Sequence, residues 1–213
     1  QRMRQIKAVI RYNFMGFYKK PKVILTFLLG FILCFLLSSR IMPVIQAYKS
    51  PVQMLEPFLW TFGDTTAILL SSVLLLLLFS DLPVLSAITP YYLCRTTKKR
   101  WLFGQLFYVA AVSGIYTVFM LGATMILCAK VGYPGNIWSN TAAMLAYSKL
   151  GEDLNVPSTV KVMESVTPYG CTAQVILLLF LYILCLSFIV LAGNLLPGKN
   201  RGLVAGLLFC LYG

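Results

Sequence analysis

The chain has 213 residues, of which 59% are hydrophobic and 11% charged, and its mean hydropathy is +0.83. So few polar side chains cannot cover a soluble globule of this size, which leaves an integral membrane protein, all-α and built as a polytopic bundle of transmembrane helices. The net charge of +12 would suggest nucleic acid as the partner of a soluble chain, but here most basic residues flank apolar runs, where topology and anionic lipid headgroups account for them and no nucleic-acid partner is expected.

The chain opens at Gln1 instead of methionine, as one trimmed at its start would. Residues 1–22 hold Arg2, Arg4, Lys7, Arg11, Lys19, Lys20 and Lys22 and no acid. At helical spacing Met3, Ile6, Val9, Ile10, Phe14 and Phe17 share one side, with Arg4, Lys7 and Arg11 beside them, the pattern of an amphipathic helix lying in the cytoplasmic interface. Between Pro21 and Arg40 lies the first uncharged run, a spanning helix over residues 23–39 that leads outward. Residues 40–63, with Pro43, Pro51, Pro57 and Trp60, read as an outer loop partly lying along the membrane surface. The leucine-rich second span covers 62–80 and returns inward, with Asp64 and Asp81 at opposite interfaces.

An inner loop, 81–101, follows and is the most informative stretch. Asp81, Leu82 and Pro83 make a helix start, with an N-cap acid and a proline in the first turn. Beyond Pro90 come Tyr91 and Tyr92, then Arg95, Lys98, Lys99 and Arg100 before Trp101. The third span, 102–129, carries Gly104, Gly114 and Gly122, which permit close helix contact. An outer segment over 130–172 opens with the turn-forming Gly132-Tyr133-Pro134-Gly135-Asn136, predicts a short helix over 137–150 and holds Glu152, Asp153 and Glu164. The fourth span is 173–196, with Asn194 near its inner end. After residues 197–201 a fifth apolar run, 202–213, is too short to cross, so the natural chain is expected to complete it and add a sixth. In this arrangement 13 of the 18 basic residues lie inside and five of the six acids outside or at the outer edge, which puts the N-terminus in the cytosol of a multi-pass protein of the plasma or inner membrane.

The absence of histidine excludes His-dependent triads and HExxH zinc sites. Cys34, Cys94, Cys128, Cys171, Cys185 and Cys210 form no CxxC pair and suggest neither a disulfide framework nor a metal site. Gly193 to Asn200, GNLLPGKN, approaches a phosphate-binding loop, but Asn200 replaces the magnesium-holding Ser or Thr and the first glycine lies in an apolar helix, so it reads as a positively charged turn. Gly202 and Gly206 form a GxxxG pair, read as a packing site within the protein. Phe62-Gly63-Asp64 lacks the second intramembrane aspartate of an aspartyl protease, and Asp64 reads as an interfacial cap.

The basic interfacial helix (Arg2 to Lys20), the inner loop SDLPVLSAITPYYLCRTTKKRW (Ser80 to Trp101) and the arrangement of spans together resemble a membrane subunit of ABC-type exporters, of the type-2 permease superfamily widespread in bacteria. The resemblance covers nearly the whole chain. It implies two six-span permease subunits, alike or different, forming the pathway. The loop after the second span would couple to a separate ATPase subunit that carries ATP and magnesium, with no cofactor and no ATPase site in this chain. On that likeness Asp81, Pro83, Tyr91, Tyr92 and Arg95 meet the ATPase subunit. The long outer segment departs from the family, in which the loop between the last two spans is more often enlarged. The alternative from another class is a non-transporting membrane scaffold or immunity protein. An ion-driven carrier is disfavoured because no charge lies deep in a span, and an intramembrane enzyme ranks last. An uncharged pathway suits a lipid, a peptide or a hydrophobic drug.

Overall fold

The structure, a computed structural model, describes residues 2–15, 17–83, 97–148, 151, 156, 160–196 and 201–212. Its elements in chain order are helix α1 (Arg2–Phe14), a 3-10 turn (Phe17–Lys19), α2 (Pro21–Tyr48), strand β1 (Val52–Gln53), α3 (Glu56–Gly63), α4 (Thr65–Phe79), α5 (Lys98–Cys128), β2 (Gly132–Tyr133), α6 (Asn140–Tyr147), α7 (Val160–Ser165), α8 (Pro168–Leu195) and α9 (Arg201–Tyr212). The fold is helical, and among the described residues the sole ladder is the two-residue parallel pairing of β1 with β2, Val52 opposite Gly132 and Gln53 opposite Tyr133.

Among the described residues three helices are long and apolar enough to cross a membrane: α2 over Pro21–Gln46, α5 and α8. At 1.5 Å per residue, a 28-residue helix such as α8 reaches roughly 42 Å against a hydrocarbon core of about 30 Å. Their surfaces are apolar on the open side as well as on the buried one. On α2 the buried positions recur as Val23, Thr26, Leu33, Cys34, Ile41, Val44 and Ile45, while Ile24, Leu28, Phe31, Phe35 and Leu36 are exposed. Apolar residues on both the buried and the open face are compatible with a helix surrounded by hydrocarbon.

The expected second span is different in form. Its 15-residue part, α4, is too short to cross alone, and α3 before it is bent away by 83°, so the pair counts as a span only if taken together. Among the described residues three spans, or four with the bent pair, are therefore shown, and the expected five, the last of them incomplete, are not. The break falls at Asp64, whose extended backbone ends α3 and whose Oδ1 accepts the Thr66 amide at 3.1 Å, capping α4. Arg40 approaches the other carboxylate oxygen at 3.6 Å. Helix α9, 12 residues long, is also short of a span.

Other boundaries shift for identifiable reasons. Residues 40–48, expected in a loop, continue α2 through Pro43. A proline inside a helix forfeits one backbone hydrogen bond, whereas ending the helix before Arg40 would forfeit the intrahelical bonds of more than two further turns. Burial of Ile41, Val44 and Ile45 supplies the remaining stabilisation. Helix α5 begins at Lys98, so Lys98, Lys99 and Arg100 lie in its first turn and the connection expected to run to Trp101 ends earlier. Lysine and arginine are good helix formers, so a basic run does not mark a loop. Helix α8 begins at Pro168 instead of 173, with proline at its first position, where the missing N–H costs nothing, and the Thr167 carbonyl accepting Cys171 N at 2.9 Å.

The chain divides into two compact units. The first comprises residues 1–27, 72–116 and 180–213. In it, α1 lies on α5: an added Cβ at Gly104 would stand 2.6 Å from Val9 Cγ1, and the Phe14 ring meets Tyr108 edge-on at 5.0 Å. The second comprises 28–71 and 117–179. Its core is Ile41, Ile45, Val52, Trp60, Ala142, Leu145 and Val156, with Trp138 and Met163 packed against it. The outer segment thus shares a core with α2, β1 and α3, with α6 three residues shorter at each end than the expected helix and α7 additional to it.

Candidate functional site

Within the first unit, the residues that flank the inner connection gather where α4 ends and α9 begins. Asp81 follows α4, and its Oδ1 accepts the Lys22 ammonium at 2.6 Å, while the same ammonium donates to Ser80 Oγ at 3.0 Å. Both partners of the ion pair are about half exposed, 44% for Lys22 and 56% for Asp81, so the pair contributes less than about 1 kcal/mol and serves to set position more than stability. The carboxylate expected to cap a following helix is thus bonded to the start of α2. Leu82–Pro83 is a cis peptide. Asn194, near the end of α8, donates its amide to the Leu82 carbonyl and accepts the Gly202 amide at 3.1 Å, joining the ends of α4 and α8 to the start of α9.

Gly202 and Gly206 are both buried. A Cβ on Gly202 would collide with the Val190 carbonyl and the Asn194 amide, and one on Gly206 would lie 2.5 Å from Leu76 Cδ2 and 2.9 Å from Val190 Cγ2. The missing side chains allow α9 to meet α8 and α4 backbone-close. Further along the same helices Ser72 and Tyr182 share a hydrogen bond of 2.7 Å, the Tyr182 ring stacks on Phe209 at 5.9 Å, and its hydroxyl reaches Cys210 Sγ at 3.8 Å.

The basic residues fall on open surface. Lys7 and Arg11 of α1 are exposed, as are Lys98 and Lys99, while Arg100 is partly buried. Met15 and Tyr18 are exposed beside them, at 71% and 70%. Three cations in the first turn of α5 oppose the positive end of the helix dipole, so local helix energetics do not explain their presence there. The side chain of Arg4 and the whole of Tyr91, Tyr92 and Arg95 lie outside the described residues.

The second unit holds a polar centre that the sequence reading missed. Glu56, fully buried in the first turn of α3, accepts Ser139 N at 2.8 Å on Oε1, and Ser139 Oγ at 2.6 Å and Gln53 N at 3.2 Å on Oε2. Gln53 Oε1 accepts the amides of Leu55 and Glu56, and Ser139 Oγ accepts Ala142 N at 3.0 Å as the cap of α6. The buried carboxylate therefore ties the N-termini of two helices, each of which favours a negative charge. The signals were local: Glu56 just before Pro57, and Ser139 before Asn140 and Thr141, both mark helix starts.

Among the described residues no group of three or more His, Cys, Asp or Glu could hold a metal ion, and Cys34, Cys128, Cys171, Cys185 and Cys210 are free thiols. No protein-family model, curated protein or solved structure matches the chain.

Proposed function

We propose that this chain is the permease subunit of an ATP-driven exporter, lodged in the plasma or inner membrane with its N-terminus in the cytosol. The observation that carries the reading is a basic amphipathic helix, α1, seated on α5 through Val9 and Phe14, with Phe17 of the following turn beside them, while Lys7 and Arg11 stay open. Such a helix supports an interfacial element attached to a spanning one, as in the permeases that the chain resembles. The ties of Asp81 to Lys22 and of Leu82 to Asn194 support a further point: the start of the connection between α4 and α5 is rooted in α2 and α8, so a force on that end of the connection has a path into packed helices.

On this reading ATP is bound and hydrolysed by a separate subunit, which seats the 81–101 connection and meets Asp81, Pro83, Tyr91, Tyr92 and Arg95. A second permease subunit, the same or different, completes the pathway. Transport then requires a bundle with two states that bind the cargo differently, biased by closure of the ATPase. Purification in mild detergent together with the proteins it holds is the test. An ATPase with a Walker motif is expected to accompany the wild type, and replacing Tyr91, Tyr92 and Arg95 together with alanine is expected to abolish both its retention and its stimulation without reducing membrane insertion. Reproducible absence of any such ATPase, or normal coupling in the triple variant, overturns the reading.

A further inference from the structure

In the first unit, α1 is seated on α5 by apolar contacts alone. Val9 stands where a side chain at Gly104 would be, 2.9 Å from Val9 Cβ to the position of an added Cβ, and the Phe14 and Phe17 rings meet Tyr108 edge-on at 5.0 and 6.3 Å. Polar groups around these contacts are buried and unpaired. Asn13, one turn beyond Val9, is buried, and its Nδ2 has no hydrogen-bond partner among the described residues. Gln105, next to Gly104, is fully buried, and neither its Oε1 nor its Nε2 is bonded. Water would satisfy all three atoms, so each of them opposes the docked seat. Charge opposes it too. The first unit carries 13 basic residues, seven in 1–22, four in 95–100 and two in 199–201, against a single acid, Asp81, and that acid is bonded to Lys22. Val9 lies level with Gly104 and Phe14 with Tyr108, so the two helices run parallel and the cationic start of α1 falls level with the first turn of α5, Lys98 to Arg100.

We infer that α1 is a detachable strap with two competing seats, the α5 surface and a membrane surface rich in anionic phospholipid. One stripe of α1 serves both. Val9 and Phe14 are its apolar side and the exposed Lys7 and Arg11 flank it. On α5 that stripe is taken up by Gly104 and Tyr108, whereas on a membrane it enters the boundary between headgroups and acyl chains with its cations against phosphate. Leaving α5 lets the amides of Asn13 and Gln105 find water or headgroup partners and exchanges cation–cation proximity for cation–phosphate attraction. The opposing cost is loss of the Val9, Phe14 and Phe17 contacts, and the charge of the lipid decides between the seats. The strap does not rest on the exporter reading, and an α1 that never lifts leaves that reading as it stands.

The test is the distance between spin labels on cysteines placed at the exposed Ala8 of α1 and the exposed Phe107 of α5, in a cysteine-free background and in lipid nanodiscs. In phosphatidylcholine a single short distance, that of the docked helix, is expected. In an equal mixture with phosphatidylglycerol a second, longer distance is expected, and molar salt should suppress it by screening the lipid charge. The double variant Asn13→Leu and Gln105→Met keeps similar volumes and removes the unpaired groups, so in the mixed lipid its ratio of lifted to docked helix is expected to fall at least about tenfold. The same distances in both lipids overturn the inference without any substitution in the seam. A double variant that lifts as readily as its parent overturns it as well, and lifting that molar salt does not reverse overturns the part given to anionic lipid.

Discussion

Replacing Glu56 tests the buried polar centre directly. The carboxylate is fully buried and receives three hydrogen bonds, two from Ser139 and one from the Gln53 amide. Alanine would leave those three donors without an acceptor and open a space, and each orphaned buried donor costs about 1–3 kcal/mol. Because the losses share one site and partly relax, we expect a total of about 3–5 kcal/mol, in the lower half of what three independent losses would give. Glutamine keeps the volume and one acceptor oxygen but turns an NH2 group towards donors, so Glu56→Gln should cost about 2–3 kcal/mol. The assay is denaturant unfolding in detergent followed by tryptophan fluorescence, with Trp60 one turn along α3 from Glu56 and Trp138 next to Ser139 in sequence. Ser139→Ala removes both a donor to Glu56 and the cap of α6, and in combination with Glu56→Ala should fall short of additivity by about 1–3 kcal/mol. A Glu56→Gln protein within about 0.5 kcal/mol of the wild type, or strict additivity with Ser139→Ala, would show that the carboxylate does not hold the two helix ends together.

The remaining predictions concern helix contacts and orientation. Gly206→Leu forces a side chain into Leu76 and Val190, where overpacking costs about 1–3 kcal/mol, and should lower the midpoint of unfolding in detergent; an unchanged midpoint would mean that α9 does not sit against α4 and α8. Gly104→Leu would displace Val9, so α1 should lift from α5 and trypsin should cleave after Lys7 and Arg11 faster than in the wild type, with equal rates arguing against the docked arrangement. A cysteine placed at Thr97 in a cysteine-free background should stay unlabelled by an impermeant maleimide added outside intact cells and react once the membrane is opened. Labelling from outside would reverse the proposed orientation and remove the cytosolic role of the connection.

Much of the architecture was readable before the fold. The uncharged runs ahead of Arg40, after Trp101 and ahead of Pro197 became α2, α5 and α8, because in a chain so poor in polar groups only a helix satisfies its own backbone. Proline, by contrast, misled. Pro43 sits within α2, since one lost hydrogen bond is outweighed by the turn of backbone pairing and the burial on either side of it. Asp64 was read as a cap at an interface and does cap α4, but its local signal contained nothing about the 83° change of direction there.

The sequence by itself determined the long apolar helices: uncharged runs of spanning length with cations at their ends are compatible with hydrocarbon around them, because apolar content and internal hydrogen bonding both follow from composition and order alone. Tertiary structure alone decided which polar groups meet. Lys22 and Asp81, Asn194 and Leu82, and Glu56 and Ser139 are 59, 112 and 83 residues apart, and no local pattern encodes a pairing that arises only when helix packing brings distant ends within hydrogen-bond reach.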